Sequence, residues 1–248
     1  MFSCGIRLFS LSQLSPRRKA GAFFCRRRYT LTVPLSQTSQ TMIVRPDWTA
    51  SQDPENWLTE PEMALYHAWH SPKRRAEWLA GRLAAKRLVG ETFELGPLTF
   101  AIGHEGVAPC ILSSEIPLLT LSLSHSHGLG AATLSDSRQE GNAGIDAQHI
   151  RPVHHGLGAR VFTMSERGQI AARFGAEDDP AGMLLFWALK EAAIKARRAV
   201  WGLPLREIEA QIISGDKAIV QMTGEPPLTA AFERLDGWWL ARAVLPPG

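Results

Sequence analysis

Two short segments, about forty positions apart, carry the side chains of this chain that could do chemistry on a phosphoester. The sequence Gly-Ile-Asp-Ala-Gln at 144–148 is predicted to be a short strand, in which Asp146 and Gln148 project from the same face. The sequence Phe-Trp-Ala-Leu-Lys-Glu-Ala-Ala-Ile-Lys is predicted to be a helix, in which Glu191 and Lys195 share a side. Hard oxygen ligands bind Mg²⁺ beside a phosphate, and a lysine neutralises phosphate charge. The set therefore indicates chemistry on a phosphoester.

Each segment alone has an ordinary structural interpretation. A Gly-Ile-Asp triplet is usually a strand that ends in a turn, and Glu191 and Lys195 could be a solvent-facing ion pair worth roughly 0.2–0.5 kcal/mol. A third segment, Ser-Leu-Ser-His-Ser-His-Gly at 122–128, precedes the other two. Its presence, and the order of all three, favour the functional interpretation.

This order of motifs resembles the 4′-phosphopantetheinyl transferase superfamily: Ser-His-Ser, then Gly-Ile-Asp, then Trp-x-x-Lys-Glu-Ala-x-x-Lys. The blocks Arg-Ala-Glu-Trp-Leu-Ala-Gly-Arg at 75–82 and Gly-Leu-Pro-Leu at 202–205 are similar to the family's flanking sequences. The resemblance covers residues 74–205, with weaker similarity out to Val244. Both halves lie in one chain, which is similar to the long, surfactin-synthetase-activating type of the family.

The resemblance implies an activity. It is the transfer of 4′-phosphopantetheine from coenzyme A to a serine of an apo acyl or peptidyl carrier protein, with Mg²⁺ or alternatively Mn²⁺. Fatty acid, polyketide and nonribosomal peptide biosynthesis are the pathways in which such carriers serve. Two alternatives stay open: a metal-dependent hydrolase that uses His125, His127, Asp146 and Glu191, and a non-catalytic relative that binds carrier proteins.

The resemblance also assigns roles to the candidate residues. Asp146, Glu191 and Lys195 would be catalytic, and Asp146, Gln148 and Glu191 would hold the metal ion. Glu191 could be a metal ligand, the base for the serine, or both. Gln148 stands where an acid is common in the family, so one charge is missing there. Lys195 would contact the transferred phosphate.

A second group of residues is expected to bind coenzyme A, with Lys195 among them. Arg75, Arg82 and Lys86 share a broad face of one predicted helix, and one or two of them would contact the 3′-phosphate. Ser124 and His125 would contact a coenzyme A phosphate. Without the family context, the arginine-rich face is simply solvated and His125 is a structural histidine.

The pattern of elements predicts an α+β fold. Helices are predicted at 74–89, 165–173 and 180–200, with a helix start at Thr-Glu-Pro-Glu, 59–62. Strands are predicted at 98–102, 118–126, 129–134, 143–146, 208–213, 218–222, 228–235 and 238–244. The resemblance implies two similar halves, each of antiparallel strands packed with helices, related by a pseudo-twofold with the active site between them. The sequence shows no residue-level repeat, so this symmetry rests on the resemblance.

The chain is predicted to have three parts, with a boundary after residue 41 indicated by charge and one after residue 150 indicated by the pattern of elements. Residues 1–41 carry seven basic side chains and no acid, whereas the remaining residues have 20 Lys and Arg against 24 Asp and Glu. The first part is interpreted as a mis-assigned start before Met42, a disordered extension or a transit peptide. Residues 42–150 and 151–248 are the predicted halves, divided near Arg151.

Composition excludes several classes of function. The pI near 8.9 is due to residues 1–41, so it does not indicate nucleic-acid binding by the rest of the chain. No apolar run reaches the ~18 residues that a membrane span needs. Three scattered cysteines, Cys4, Cys25 and Cys110, form neither a disulfide framework nor a zinc motif. They favour a reducing, cytoplasmic location, with organelle targeting by residues 1–41 as the alternative.

Overall fold

The computed structural model describes residues 40–117, 119–154, 156–198 and 204–247. Residues 1–39 of the predicted first part, 1–41, therefore lie outside the described residues, as do the last two residues of the helix predicted to reach residue 200 and the first half of the Gly-Leu-Pro-Leu block. The described elements are, in chain order, β1 (Thr41–Val44), α1 (Pro46–Ser51), α2 (Glu60–Ala68), α3 (Pro72–Phe93), β2 (Ala101–Glu105), β3 (Ala108–Leu112), β4 (Thr120–Ser126), β5 (Leu129–Ser135), β6 (Asn142–His149), α4 (Leu157–Val161), α5 (Met164–Phe174), α6 (Pro180–Ala196), β7 (Ile208–Ile212), β8 (Lys217–Met222), β9 (Leu228–Leu235) and β10 (Trp238–Leu245).

Three antiparallel sheets form the described part of the chain. Their strand orders are β1-β5-β4, β2-β3 and β6-β10-β9-β8-β7. The long helix α3 packs on β5 and β4, and α6 packs on β6 and β10. The predicted α+β class, with antiparallel strands packed against helices, is confirmed.

Strand β6 joins the sheet of the C-terminal half. It pairs with β10, with Asp146 opposite Ala241, although it precedes the boundary predicted after residue 150. Strand β1 begins at Thr41, and the preceding Gln40 accepts a hydrogen bond from Leu134 N–H at 3.0 Å. Both predicted boundaries therefore separate a strand from residues that it contacts, and the division of the chain stays a prediction.

Serine side chains join the sheet that contains β4 to the sheet that contains β6. The hydroxyls of Ser122, Ser124 and Ser126 accept hydrogen bonds from the N–H groups of alternate β6 residues, 145, 147 and 149, at 3.0–3.1 Å. The serines that alternate with other residues along β4 thus have a role in hydrogen bonding. They satisfy the edge of a neighbouring strand that would otherwise lack acceptors.

A residue-level repeat relates the halves, contrary to the sequence analysis. In each half a threonine and a glutamate three positions later form a capping box, at Thr59 and Glu62 and at Thr163 and Glu166. A lysine 24 positions after each glutamate pairs with it in the interior, with nitrogen–oxygen distances of 2.7 Å for both Lys86–Glu62 and Lys190–Glu166. The sequence alone does not reveal this repeat, because the halves share only these few, widely separated positions.

Element boundaries differ from the predictions at a few places. Helix α3 begins at Pro72 after the capping residue Ser71, and it continues beyond the predicted end at residue 89 to Phe93. Residues 106 and 107 form the turn before β3, which begins at Ala108. Asp236 and Gly237, both with positive φ, form the hairpin turn between β9 and β10. None of the helices in the described ranges has the length and apolar character that crossing a bilayer requires.

Candidate active site

A cavity of about 520 Å³ lies between the two halves. Helix α3, the β2–β3 hairpin and β4 line it from the N-terminal half, and β6 and α6 line it from the C-terminal half. Of the residues predicted to act in catalysis or metal binding, all four line this cavity: Asp146, Gln148, Glu191 and Lys195. The structure thus brings together residues that are about fifty positions apart in the sequence.

A glycine lets α6 approach β6 closely enough to form the site. A Cβ atom on Gly144 would lie 2.1 Å from the carbonyl oxygen of Ala192 and 2.3 Å from the nitrogen of Ala196, distances that no side chain tolerates. Asp146 lies two residues further along the same face of the strand. Because α6 approaches the strand closely at Gly144, Asp146 lies next to the side of α6 that presents Glu191 and Lys195.

The carboxylate of Asp146 is held by three donors. Its Oδ1 accepts hydrogen bonds from Lys195 Nζ at 2.6 Å and from Ser124 Oγ at 2.8 Å, and its Oδ2 accepts one from Gln148 Nε2 at 2.8 Å. Lys195 also donates to the carbonyl oxygen of Ile145 at 3.1 Å. Asp146 is only 3% exposed, so this network fixes its orientation within the cavity wall.

Glu191 has the most perturbed carboxyl group of the site. Burial raises its pKa to about 7, with a further contribution from the negative charge of Asp146 and an opposing one from Lys195. A group with this pKa is partly ionised at neutral pH and can take up a proton there. The carboxyl of Glu191 is thus suited to act as a base.

The donor set fits a hard divalent cation. Asp146 and Glu191 repel each other across the site, and a cation between them would offset that repulsion. The amide nitrogen of Gln148 donates to Asp146, which leaves the amide oxygen available as a ligand. No group of three His, Cys, Asp or Glu side chains suited to a metal occurs within the described ranges. A cation would therefore take ligands from water or substrate as well, as Mg²⁺ commonly does.

Ser124 orients the carboxylate of Asp146 in this arrangement. Its hydroxyl proton goes to Asp146, while its oxygen accepts the N–H of Ala147 at 3.0 Å. Ser124 also lines the cavity, and its expected contact with coenzyme A stays a prediction.

His125 lies in the cavity wall, where its ring faces Gly81 of α3. Its side chain is reached by solvent, yet the protein atoms around it lower its pKa, chiefly by desolvation and then through Lys195. The imidazole is consequently neutral at neutral pH, so it can offer one N–H donor to a ligand phosphate without carrying a charge.

The structure separates the three basic residues of α3. Arg82 lines the cavity, is 2% exposed, and among the described residues its Nη1 has no hydrogen-bond partner. Arg75 lies outside the cavity lining and donates to the carbonyl oxygen of Trp69 at 2.8 and 3.2 Å. Lys86 is fully buried against Glu62, which corrects its expected contact with coenzyme A. Arg82 alone of the three presents an unsatisfied cationic group to the cavity.

Two polar residues of the cavity wall, His104 and Arg198, were not among the predicted site residues. Trp187 also forms part of the wall and packs against the hydrophobic core. His104 comes from the β2–β3 hairpin, and Arg198 follows α6 and pairs with Glu105 at 3.5 Å. No local signal marks His104 or Arg198, because their place in the wall depends on the hairpin folding over the cavity.

Comparison with known proteins identifies the C-terminal half. Residues 142–243 match the family model described as the 4′-phosphopantetheinyl transferase superfamily. This part of the chain is therefore similar to that superfamily. The matched residues include Asp146, Gln148, Glu191 and Lys195, all of which line the cavity.

Individual relatives agree with the superfamily. The chain is 36% identical over 126 residues to the 4′-phosphopantetheinyl transferase AcpT of Salmonella typhimurium, covering 50% of this chain and 59% of that protein. It is 29% identical over 163 residues to the 4′-phosphopantetheinyl transferase Svp of Streptomyces mobaraensis, covering 66% of this chain and 63% of that protein. The chain thus spans about three fifths of the length of these relatives.

Solved structures give more distant similarity. A holo-[acyl-carrier-protein] synthase of Thermotoga maritima is 20% identical, with a TM-score of 0.36, over 43% of this chain and 64% of that one. A holo-(acyl-carrier-protein) synthase of Bacillus anthracis, in complex with CoA (3′,5′-ADP), is 23% identical. Its TM-score is 0.35, over 40% of this chain and 93% of that one.

Proposed function

We propose that this protein transfers the 4′-phosphopantetheine group from coenzyme A to a serine of an apo acyl or peptidyl carrier protein. The observation that carries the proposal is the joint arrangement of Asp146, Glu191 and Lys195 in one cavity, within a segment that matches the transferase superfamily. In the reaction, the serine oxygen bonds to the phosphorus of phosphopantetheine. The bond from that phosphorus to the oxygen of adenosine 3′,5′-bisphosphate breaks, and the serine proton is lost.

Glu191 is the residue we assign to that proton. Its pKa near 7 keeps a fraction of the carboxyl ionised at neutral pH, and its place in the cavity lets it meet a serine that enters from solvent. Lys195 is assigned to the transferred phosphate. Its ammonium is already fixed beside Asp146, so it can donate to a phosphoryl oxygen with little reorganisation.

Asp146, Glu191 and the amide oxygen of Gln148 are the residues we assign to a divalent cation. Mg²⁺, or Mn²⁺ in its place, would neutralise charge on the pyrophosphate of coenzyme A when bound. The protein's own part is to hold the three oxygen donors on one side of the cavity. Ser124 contributes by fixing Asp146, as its short hydrogen bond to Oδ1 indicates.

Arg82 is assigned to the distal 3′-phosphate of coenzyme A. A buried guanidinium nitrogen without a hydrogen-bond partner costs free energy, and a dianionic phosphate would satisfy Nη1 of Arg82 with charge-assisted hydrogen bonds. The ring of Trp78 lies 4.9 Å from the guanidinium carbon and limits its movement. His125, with one N–H to donate, is assigned to a second phosphate contact.

The hydrolase alternative gains no support from the geometry. It needs His127 together with His125, Asp146 and Glu191, but His127 stacks on His149 with 4.4 Å between ring centroids and is not among the cavity residues. The acceptor carrier, and with it the choice between fatty acid, polyketide and nonribosomal peptide synthesis, is left to the experiment below. A cytoplasmic location stays a prediction.

The test is incubation of the purified protein with coenzyme A, MgCl₂ and a panel of apo carrier proteins, followed by intact-mass measurement. A gain of one phosphopantetheine on at least one carrier is expected, with none when EDTA replaces the metal or when the carrier serine is changed to alanine. Asp146→Ala and Glu191→Ala should each lower turnover by at least ~10²-fold. Glu233→Ala, which removes an exposed carboxylate of β9, is the matched control and should turn over normally. No mass gain on any carrier would refute the proposal.

A further inference from the structure

Two buried ion pairs within the described ranges, Lys86–Glu62 and Lys190–Glu166, have the same construction. In each, one glutamate oxygen accepts the N–H of the capping threonine and the other accepts an N–H from a strand, Ile102 in one half and Ala210 in the other. In each, the lysine ammonium also donates to two backbone carbonyls. The lysine and glutamate side chains are at most 2% exposed in both pairs.

The residue that follows each lysine differs in kind. After Lys86 comes Arg87, which is partly exposed and pairs with Glu91 one turn further along α3. After Lys190 comes Glu191, the carboxyl that we assign to the serine proton. The same structural device therefore lies next to a solvated residue in one half and next to the proposed base in the other.

Lys190 ties α6 to elements on the side away from β6. Its ammonium donates to Glu166 of α5 at 2.7 Å, to the carbonyl oxygen of Val161 at 2.9 Å and to that of Leu205 at 2.9 Å. Three acceptors on separate segments fix both the depth and the rotation of the helix at this point. On the opposite side, the contact of the helix backbone with Gly144 sets its distance from β6.

A small rotation of α6 would displace the base considerably. A side-chain tip lies about 5–6 Å from the helix axis, so a rotation of about 10° moves it by about 1 Å. A displacement of that size can lower a rate by about 10²-fold. Turnover should therefore fall sharply if α6 rotates even slightly from its position in this structure.

We propose that the Lys190–Glu166 pair is a positioning device that sets Glu191 in the active site, and that Lys86–Glu62 is its counterpart without this role. The inference rests on the proposed function, since it concerns the orientation of the proposed base. Lys190 itself touches neither the cavity nor any atom that reacts; it acts through the helix.

The test compares two matched double variants. Lys190→Met with Glu166→Gln, and Lys86→Met with Glu62→Gln, each remove a buried ion pair without leaving an unpaired charge. Melting temperature, kcat, and KM for coenzyme A are measured for both and for the parent. Similar decreases in melting temperature are expected, because the two pairs have equivalent partners. The Lys190 variant should lose at least ~10-fold in kcat with KM for coenzyme A changed less than ~3-fold, whereas the Lys86 variant should keep kcat within ~3-fold.

The outcomes separate the two proposals. A parent protein that modifies no carrier would refute the proposed function. A parent that is active, together with a Lys190 variant that keeps its kcat, or with two variants that lose kcat equally, would refute the positioning role. If either double variant does not fold, Glu166→Gln and Glu62→Gln alone are compared, because both lysines then keep their bonds to the carbonyls. A loss of kcat above ~3-fold in Glu166→Gln but not in Glu62→Gln supports the inference, and equal values oppose it.

Discussion

Replacement of Glu191 by glutamine should make the protein more stable at alkaline pH while it removes activity. The side chain is buried, and its pKa of about 7 in the folded protein compares with an ordinary value of 4.5. A raised pKa means that the folded state favours the neutral carboxyl. The stability associated with that preference is present below pH 4.5 and is lost as the pH rises through 7. Glutamine has the same shape but cannot ionise, so it retains this stability at every pH.

The size of the effect follows from the shift. A difference of about 2.5 between the two pKa values corresponds to about 3 kcal/mol, because each pKa unit is worth about 1.4 kcal/mol. The variant should exceed the parent in unfolding free energy by about 1 kcal/mol at pH 5 and by about 3 kcal/mol at pH 8. Histidines titrate in both proteins alike, so their contribution cancels in the difference.

Urea unfolding in EDTA at several pH values between 5 and 8.5 measures this difference directly. Addition of MgCl₂ at pH 8 should then stabilise the parent more than Glu191→Gln, since the ionised carboxyl is the better cation ligand. Our account of the site would be refuted by a difference that does not change with pH. A variant less stable than the parent at pH 8 would equally show that Glu191 is not under electrostatic strain.

Two further predictions concern Ser124 and Arg82, each compared with a neighbouring residue of the same type. Ser124→Ala should lower kcat at least ~10-fold, because it removes a hydrogen-bond donor to Asp146. Ser122→Ala removes only an acceptor for a β6 N–H, so it should cost a similar unfolding free energy of about 1–3 kcal/mol but keep kcat. Equal kcat values in the two variants would contradict the role of Ser124. Arg82→Met should raise KM for coenzyme A at least ~10-fold but change KM for 3′-dephospho-coenzyme A little. Arg75→Ala should change neither KM. If Arg82→Met raises KM equally for both substrates, the assignment of Arg82 to the 3′-phosphate is wrong.

Local features of the fold could be predicted because their causes are local. The capping box at Thr59 and Glu62 begins α2, and the Asp236-Gly237 pair makes the β9–β10 hairpin, since each depends on residues within a few positions of one another. The same holds for the side that Glu191 and Lys195 share on α6, which the helical period alone dictates. The candidate residues for catalysis and metal binding could therefore be found from sequence, with the help of the family resemblance.

Tertiary structure decided which partner each polar group has. Helical spacing places Arg75, Arg82 and Lys86 on one broad face. Only the folded chain shows that Lys86 forms a buried ion pair with Glu62, and that Arg82 is the one of the three that lines the cavity. Likewise, strand periodicity places Ser124 on a face without revealing that its proton goes to Asp146. Periodicity determines the direction of a side chain relative to its own element. The partner depends on how elements far apart in sequence pack, and therefore on the whole set of long-range contacts.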